Sequence, residues 1–196
     1  MGKQTVLMTA VGSYLPANVV TNNDLSAYVD TSDEWIQRRT GIVQRHFVAN
    51  GETTADLASI AATNALAQAG IAPTEIDLII VATTTPDNTF PSTATKVQYQ
   101  IGASGAIAFD VQAVCAGFIY AVDIADAMLR GGRGRRAVLR HAARSVPSKF
   151  SLSNLVYLFF EVLMASHQIS STPFPPYAFR FAFIYSSCLL QSINST

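Results

Sequence analysis

Leu78-Ile79-Ile80-Val81-Ala82 is a run of five apolar residues, without the alternation of a strand that has one face in water. Such a run fits a strand covered on both faces, as in a parallel sheet. Parallel neighbours need crossover segments, usually helices, and the sequence supplies them on either side. Thr53 opens the clearest one: Asp56 stands three residues on, as in a capping box, and Leu57, Ile60, Ala61, Ala65 and Leu66 form an apolar stripe at helical spacing. Gly70 is placed to stop that helix, with Pro73 just beyond. After the central run, 92–99 reads as a helix and 106–111 as a buried strand. A second strong helix starts near Ala116, with the stripe Phe118, Val122, Ala125 and Leu129, and ends at Gly131-Gly132. Ala137-Val138-Leu139 is then the next strand. Upstream, 5–11 reads as a strand closed by Gly12, 22–28 and 32–40 as short helices each opened by a good N-cap residue, and 42–48 as a strand. Repetition of this βαβ rhythm predicts an α/β layered fold.

The chain has 196 residues, 49% hydrophobic and 13% charged, enough to bury one good-sized core. A net charge of +0 offers no field for phosphate backbones, which argues against a nucleic-acid partner. Its two cysteines, Cys115 and Cys188, are far apart and form no disulfide framework, a pattern suited to a reducing cytoplasm. The N-terminus has no apolar signal core. The best membrane candidate, 155–165, is short and broken by Glu161, so a soluble cytoplasmic protein with no membrane partner is expected.

These averages conceal a break. Only Glu161 among the 13 acidic residues lies beyond Asp126, whereas eight of the 13 basic residues lie at Arg130 or later. Beyond Leu139 the strand and helix rhythm fails. Arg140-His141-Ala142-Ala143-Arg144 stands where an inner strand would continue with Val, Ile or Gly, and Phe-rich and Ser/Pro-rich stretches follow. Residues 171–176 read as loop or linker. The expected organisation is a domain over 1–139 and an irregular tail over 140–196.

Cys115 stands at the junction of the 106–111 strand and the helix that begins near Ala116. A helix N-terminus favours the thiolate, the form that attacks a carbonyl carbon. Ala113, Ala116 and Gly117 leave room for a substrate to approach. By position alone Cys115 is either an activated nucleophile or a buried thiol packing as a small hydrophobe.

Local sequence favours the first reading. Asp33-Glu34-Trp35-Ile36 with Arg39-Thr40-Gly41-Ile42, then Phe90-Pro91-Ser92, Ala108-Phe109-Asp110-Val111 and Cys115-Ala116-Gly117-Phe118, resembles the β-ketoacyl-acyl carrier protein synthase III family in order and spacing. The resemblance covers about residues 5–139 and implies the N-terminal half of a thiolase-like fold. It also implies an acyltransferase of fatty acid synthesis: a cysteine, here Cys115, takes an acyl group, usually acetyl, from coenzyme A. Condensation with malonyl-acyl carrier protein follows, with loss of carbon dioxide. Trp35 and Arg39 match residues that flank the coenzyme A nucleotide, by stacking and by ion pairing. Ordinary amphipathic helix packing is the alternative for both. Thr31 matches a third residue of that mouth, and Phe90 a position near the dimer contact that reaches the partner's acyl pocket. A homodimer is thus implied, with acyl-coenzyme A as substrate, no further cofactor and no metal.

The resemblance also marks what is not matched. Family members run well past 300 residues, and a histidine and an asparagine from their C-terminal half stabilise the charge that develops as malonate loses carbon dioxide. Of the three histidines here, His46 falls in an early strand and reads as structural, while His141 and His167 fall in the unmatched tail. A shifted reading frame or an aberrant transcript would produce such an abrupt departure. The competing functions are then a partial or inactive synthase III, a non-catalytic fragment, and another thiolase-fold condensing enzyme such as a quinolone or polyketide starter synthase. Acyl chain length is not encoded in the matched residues.

Overall fold

Every residue of the central apolar run is buried in the strand it forms, and the rest of the larger sheet is laid out around it. The structure, a computed structural model, describes residues 4–141 and 160–168. Its strands are β1 (Gln4–Gly12), β2 (Asn18–Thr21), β3 (Gln44–Phe47), β4 (Leu78–Ala82), β5 (Ile107–Val111), β6 (Arg136–His141) and β7 (Phe160–Gln168). The helices are α1 (Asn22–Ser26), α2 (Asp33–Thr40), α3 (Thr54–Ala69), α4 (Thr93–Ile101) and α5 (Gly117–Arg130). Two compact units divide the described residues. Residues 20–45 form the smaller unit and the others the larger. β2 pairs with β3 in a two-stranded sheet, and the division falls within both strands.

In the larger unit five strands form one sheet in the order β1-β7-β6-β4-β5. β4 runs parallel to both neighbours, with Val81 opposite Asp110 on one side and Arg140 on the other. Side chains alternate between its faces. Ile79, Val81 and Val138 join Ala55, Ala58 and Ala62 of α3 and Ala94 and Val97 of α4 in one core. On the opposite face Leu78, Ile80, Ala137 and Leu139 meet Ala121, Ala125 and Leu129 of α5. Each of these large aliphatic side chains contributes about 1.5–3 kcal/mol relative to exposure. That sum explains why the run has no polar residue: both of its faces are covered by helices. Alanines line the buried side of α3 because β1 approaches it closely: a Cβ at Gly12 would collide with the Ala61 carbonyl and the Ala65 amide.

Caps explain where the helices start and stop. Thr53 and Asp56 form the reciprocal capping box of α3, and Gly70 closes the helix at φ 65, a left-handed conformation that suits glycine. The stripe read for α3 is buried except for Ile60, which is 40% exposed. Thr21, not Asn22, caps α1, through its own box with Asp24. The strand read at 106–111 is not buried. β5 is an edge strand of the described sheet, and Ile107 is 43% exposed.

Two features beyond Leu139 differ from the expectation of an irregular tail. β6 continues through Arg140, which is buried, to His141. β7 lies antiparallel between β1 and β6, with Leu163 opposite both Ala10 and Val138. No crossover helix heralds an antiparallel strand, so the rhythm that located β4, β5 and β6 carries no signal for β7. The loop read at 171–176 and Cys188 lie outside the described residues, as do the side chains of His141 and His167. Among the described residues no helix is long and apolar enough to cross a membrane.

Candidate active site

Helices α3, α4 and α5 each alternate with parallel strands, so all three begin at the edge of the sheet where β4 and β5 end. Sites in open α/β sheets form at that edge. Cys115 is there, four residues beyond the end of β5, in a single 3-10 turn over Val114–Ala116 that leads directly into α5. The turn is closed by the Ala116 amide, donating to the Ala113 carbonyl at 3.0 Å. Cys115 is a free thiol and is exposed, which removes the alternative of a buried small hydrophobe. Val114 immediately before it has φ 45, a left-handed conformation that is uncommon for a β-branched residue. Ala116 at the N-cap of α5 offers no side-chain acceptor to the first turn. The elbow therefore combines an exposed sulfur, a helix start without a side-chain cap and a locally strained backbone.

Phe90 lies at the same edge, in the segment between β4 and α4, and is 87% exposed. Carboxylates anchor both sides of its loop. Asp87 accepts from the Thr54 amide at 2.7 Å and the Ala55 amide at 3.1 Å, with the Lys96 ammonium 3.7 Å away. Asp110 accepts from the Thr93 amide at 2.8 Å and the Ala94 amide at 2.7 Å. Asp110 belongs to the quoted Ala-Phe-Asp-Val segment, yet its bonds to α4 have no sequence signal, because they join residues 16 and 17 positions apart.

The smaller unit holds Thr31, Trp35 and Arg39 together. Ser32 caps α2 through the Trp35 amide at 3.2 Å, and Gly41 ends the helix. Trp35 and Arg39, one turn apart, share a face: the guanidinium carbon lies 5.1 Å from the ring centroid, within cation–π range. Trp35 is 53% exposed. It lines a cavity of about 290 Å³ with Asp30, Thr31 and Ser32. Thr31 Oγ1 is buried and has no hydrogen-bond partner among the described residues.

Beneath α2 lies a polar cluster. Asn22, fully buried, accepts from Arg45 Nη2 at 2.6 Å and donates from Nδ2 to Asp33 Oδ1 and to the Ile42 carbonyl, both at 2.7 Å. Arg45, also buried, donates to the Val20 carbonyl at 3.4 Å, and desolvation pushes its guanidinium below the ordinary arginine value. Asp33 accepts from Gln37 Nε2 through both oxygens at 2.8 Å, and the Gln37 and Asn22 amides hold its carboxyl below the usual aspartate value. With its folded value depressed, Asp33 favours the folded state above the ordinary aspartate range, and that contribution disappears as pH falls through the lowered value.

His46 Nδ1 meets the Pro16 carbonyl at 2.5 Å, in keeping with the structural role read for it. Among the described residues no group of three His, Cys, Asp or Glu side chains could hold a metal ion. Cys115 and Phe90 thus belong to the larger unit and Thr31, Trp35 and Arg39 to the smaller.

Residues 109–146 match the family model described as 3-oxoacyl-[acyl-carrier-protein (ACP)] synthase III, a stretch that includes Cys115 and extends past the end of β6. The chain is similar to the β-ketoacyl-[acyl-carrier-protein] synthase III of Rhodospirillum centenum, 59% identical over 128 residues, which are 65% of this chain and 40% of the relative. It is also similar to the crystal structure of 3-oxoacyl-[acyl-carrier-protein] synthase III from Aquifex aeolicus VF5. That match has a TM-score of 0.76 and 42% identity, over 82% of this chain and 54% of that one. The priming β-ketosynthase of the R1128 polyketide pathway gives a TM-score of 0.78 at 31% identity, over 86% and 52% respectively. The chain spans about two fifths of the length of the curated relatives it matches.

Proposed function

We propose that this chain, which resembles the N-terminal part of a β-ketoacyl-[acyl-carrier-protein] synthase III with a thiolase-like α/β fold, performs the acyl-transfer half of that enzyme's reaction. The observation that carries the reading is Cys115 itself, an exposed free thiol at a strand-to-helix elbow whose helix start has no side-chain cap. In this scheme the Cys115 thiolate attacks the carbonyl carbon of an acyl-coenzyme A thioester, acetyl in the simplest case. The oxyanion that forms is favoured near the α5 N-terminus. Collapse breaks the bond to the coenzyme A sulfur, which leaves as its thiolate and takes up a proton, and the acyl group remains on Cys115. The nucleotide end of the substrate is assigned to the smaller unit: adenine on the Trp35 ring, a phosphate on Arg39 and a polar atom on the Thr31 hydroxyl. Malonyl-acyl carrier protein is the partner for the second half-reaction, in which loss of carbon dioxide generates the carbanion that takes the acyl group from Cys115. Among the described residues, none is assigned to hold that developing charge.

A homodimer is part of the proposal. β5 is an edge strand of the described sheet, and the exposed Phe90, Tyr99 and Ile107 offer apolar surface beyond what an isolated monomer favours. A polyketide starter synthase is a second reading, supported by the likeness to the priming ketosynthase. It uses the same residues and differs only in the acyl group preferred.

Incubation of the 196-residue chain with acetyl-coenzyme A should give a single acetyl adduct by intact mass, and Cys115→Ser should abolish it. No adduct, or one that survives the substitution, would overturn the proposal. Acetoacetyl product on addition of malonyl-acyl carrier protein would show that this chain also carries the second half-reaction. Trp35 is the single tryptophan of the sequence, so coenzyme A binding should also quench intrinsic fluorescence directly. Competition among acetyl, branched and longer acyl-coenzyme A thioesters in the same assay separates the two readings.

A further inference from the structure

Helix α2 carries both coenzyme A residues, yet little apolar burial holds it. It has eight residues, fewer than the 12–15 at which isolated helices become even marginal in water. Ile36 is its only buried residue. One aliphatic side chain restrains a helix's distance from its support more than its rotation, and rotation decides where Trp35 and Arg39 point. The restraint on rotation is polar and comes from below.

We propose that Asn22, Arg45 and Asp33 form a positioning device that sets the rotation of α2 and thereby presents the Trp35–Arg39 face to the nucleotide. This inference deepens the coenzyme A reading above and rests on it. Asn22 is the hub. Its carbonyl oxygen is held by Arg45 at 2.6 Å, which leaves the amide nitrogen directed at Asp33 Oδ1 and the Ile42 carbonyl, each at 2.7 Å. Asp33 is the first residue of α2 and Ile42 follows its C-cap Gly41, so one side chain ties both ends of the helix. Asp33 passes the restraint into the helix through Gln37, one turn on. Arg45 and Asn22 are 4% and 1% exposed, and a buried polar hub of this kind specifies one geometry because any other leaves its members unsatisfied. Thr21 takes the N-cap of α1, which frees the Asn22 side chain to turn inward. These are positioning residues: none is assigned a contact with substrate.

The decisive variant is Asn22→Asp, nearly isosteric, which keeps an acceptor for Arg45 but faces the Asp33 carboxylate with a second one. Like charges at that distance repel, and coenzyme A affinity, read from Trp35 fluorescence, should fall at least about tenfold. Iodoacetamide labelling of Cys115 should stay within about twofold of the parent, since the thiol's own environment is untouched. Adding Asp33→Asn to Asn22→Asp restores a donor opposite an acceptor at Asp33, while the bond to the Ile42 carbonyl stays broken, and should recover part of the lost affinity. Without ligand, Asn22→Asp should lower the time-resolved anisotropy of Trp35. Should Asn22→Asp not fold, Asp33→Ala replaces it: this cuts the link at the surface, leaves the Asn22 bonds to Arg45 and Ile42 in place, and should show the same loss of anisotropy. Unchanged affinity and anisotropy in the folded variants would overturn the inference. If the parent chain shows no response to coenzyme A, the function proposed above fails, and the positioning device stands or falls on the ligand-free anisotropy alone.

Discussion

Helices α3 and α4 begin under carboxylates, whereas α5, starting at the same edge of the sheet, begins without one. In α3 the Asp56 amide bonds to Thr53, and Asp87 accepts from Thr54 and Ala55. In α4 the Thr95 amide bonds to Ser92, and Asp110 accepts from Thr93 and Ala94. Each start thus has three donors occupied and a negative charge on the positive end of the helix dipole, both stabilising. At α5 the N-cap is Ala116, without a side-chain cap, and Cys115 is the residue before it. The difference teaches how one structural device serves two ends. The field of a helix start can hold a loop in place when a fixed carboxylate uses it. It can favour a thiolate or a transient oxyanion only where no fixed carboxylate already does.

Three substitutions test that division, in descending order of effect. Asp110→Ala should have the largest. It removes a charged acceptor shared by two part-buried amides, and losing charge-assisted bonds of this kind costs about 2–4 kcal/mol in all. A urea transition followed by circular dichroism should move to markedly lower denaturant. A shift equivalent to less than about 1 kcal/mol would show that water replaces Asp110 at little cost, and that the carboxylate is not what holds the start of α4.

Ala116→Asp carries the comparison the other way, by giving α5 the carboxylate it lacks. Stability should rise by about 0.3–1 kcal/mol, from a negative charge on the helix dipole and not from an N-cap bond, because Ala116 has a helical backbone (φ -87, ψ -6). Labelling of Cys115 by iodoacetamide near neutral pH should slow by about three- to tenfold, since a carboxylate beside the sulfur disfavours negative charge on it. Cys188 provides an internal reference. A gain in stability with no change in labelling would separate the thiol from the helix start and remove the main reason for leaving α5 uncapped.

The contrast between the two kinds of helix start was only half legible in the sequence. The strands β4 and β6, the boxed start of α3 and the placing of Cys115 just ahead of a helix follow from apolar runs, N-cap residues and glycine stops, all of which are local signals. The family resemblance supplied roles for Thr31, Trp35, Arg39 and Phe90; Trp35 and Arg39 lie on α2, and Thr31 lies just ahead of its N-cap. What escaped notice is long-range or antiparallel. Asp87 reaches α3 over more than 30 residues, Arg45 reaches Asn22 over 23, and β7 pairs antiparallel with both of its neighbours. The edge position of β5 also escaped, because an apolar strand reads the same whether a neighbour covers one side or two. Asn22 was assigned to the wrong task for a related reason: Thr21 and Asn22 are both good caps, and only tertiary contacts decide which side chain is free to turn inward.

The smallest effect is expected at Val114, and it asks whether the elbow is held open by geometry as well as by the absence of a cap. A left-handed backbone costs an L-residue roughly 1–2 kcal/mol, and Val114 adopts φ 45 with its side chain 63% exposed, so little packing offsets that cost locally. Val114→Gly removes the penalty but adds about 0.5–1 kcal/mol of unfolded-chain entropy, leaving a net gain of about 0–1.5 kcal/mol. If relief of strain were all that mattered, acetyl transfer to Cys115 would be unaffected or slightly faster. The surrounding order argues otherwise. The turn over Val114–Ala116 holds the exposed thiol immediately before α5, and a glycine at 114 widens the range of directions the sulfur samples. Iodoacetamide, a small reagent with no bound geometry, should register little change, whereas acetylation by acetyl-coenzyme A, which requires a fixed line of attack, should slow by a few-fold. Equal effects on both reactions would mean that Val114 is merely tolerated and that the open start of α5 alone distinguishes this helix from its two neighbours.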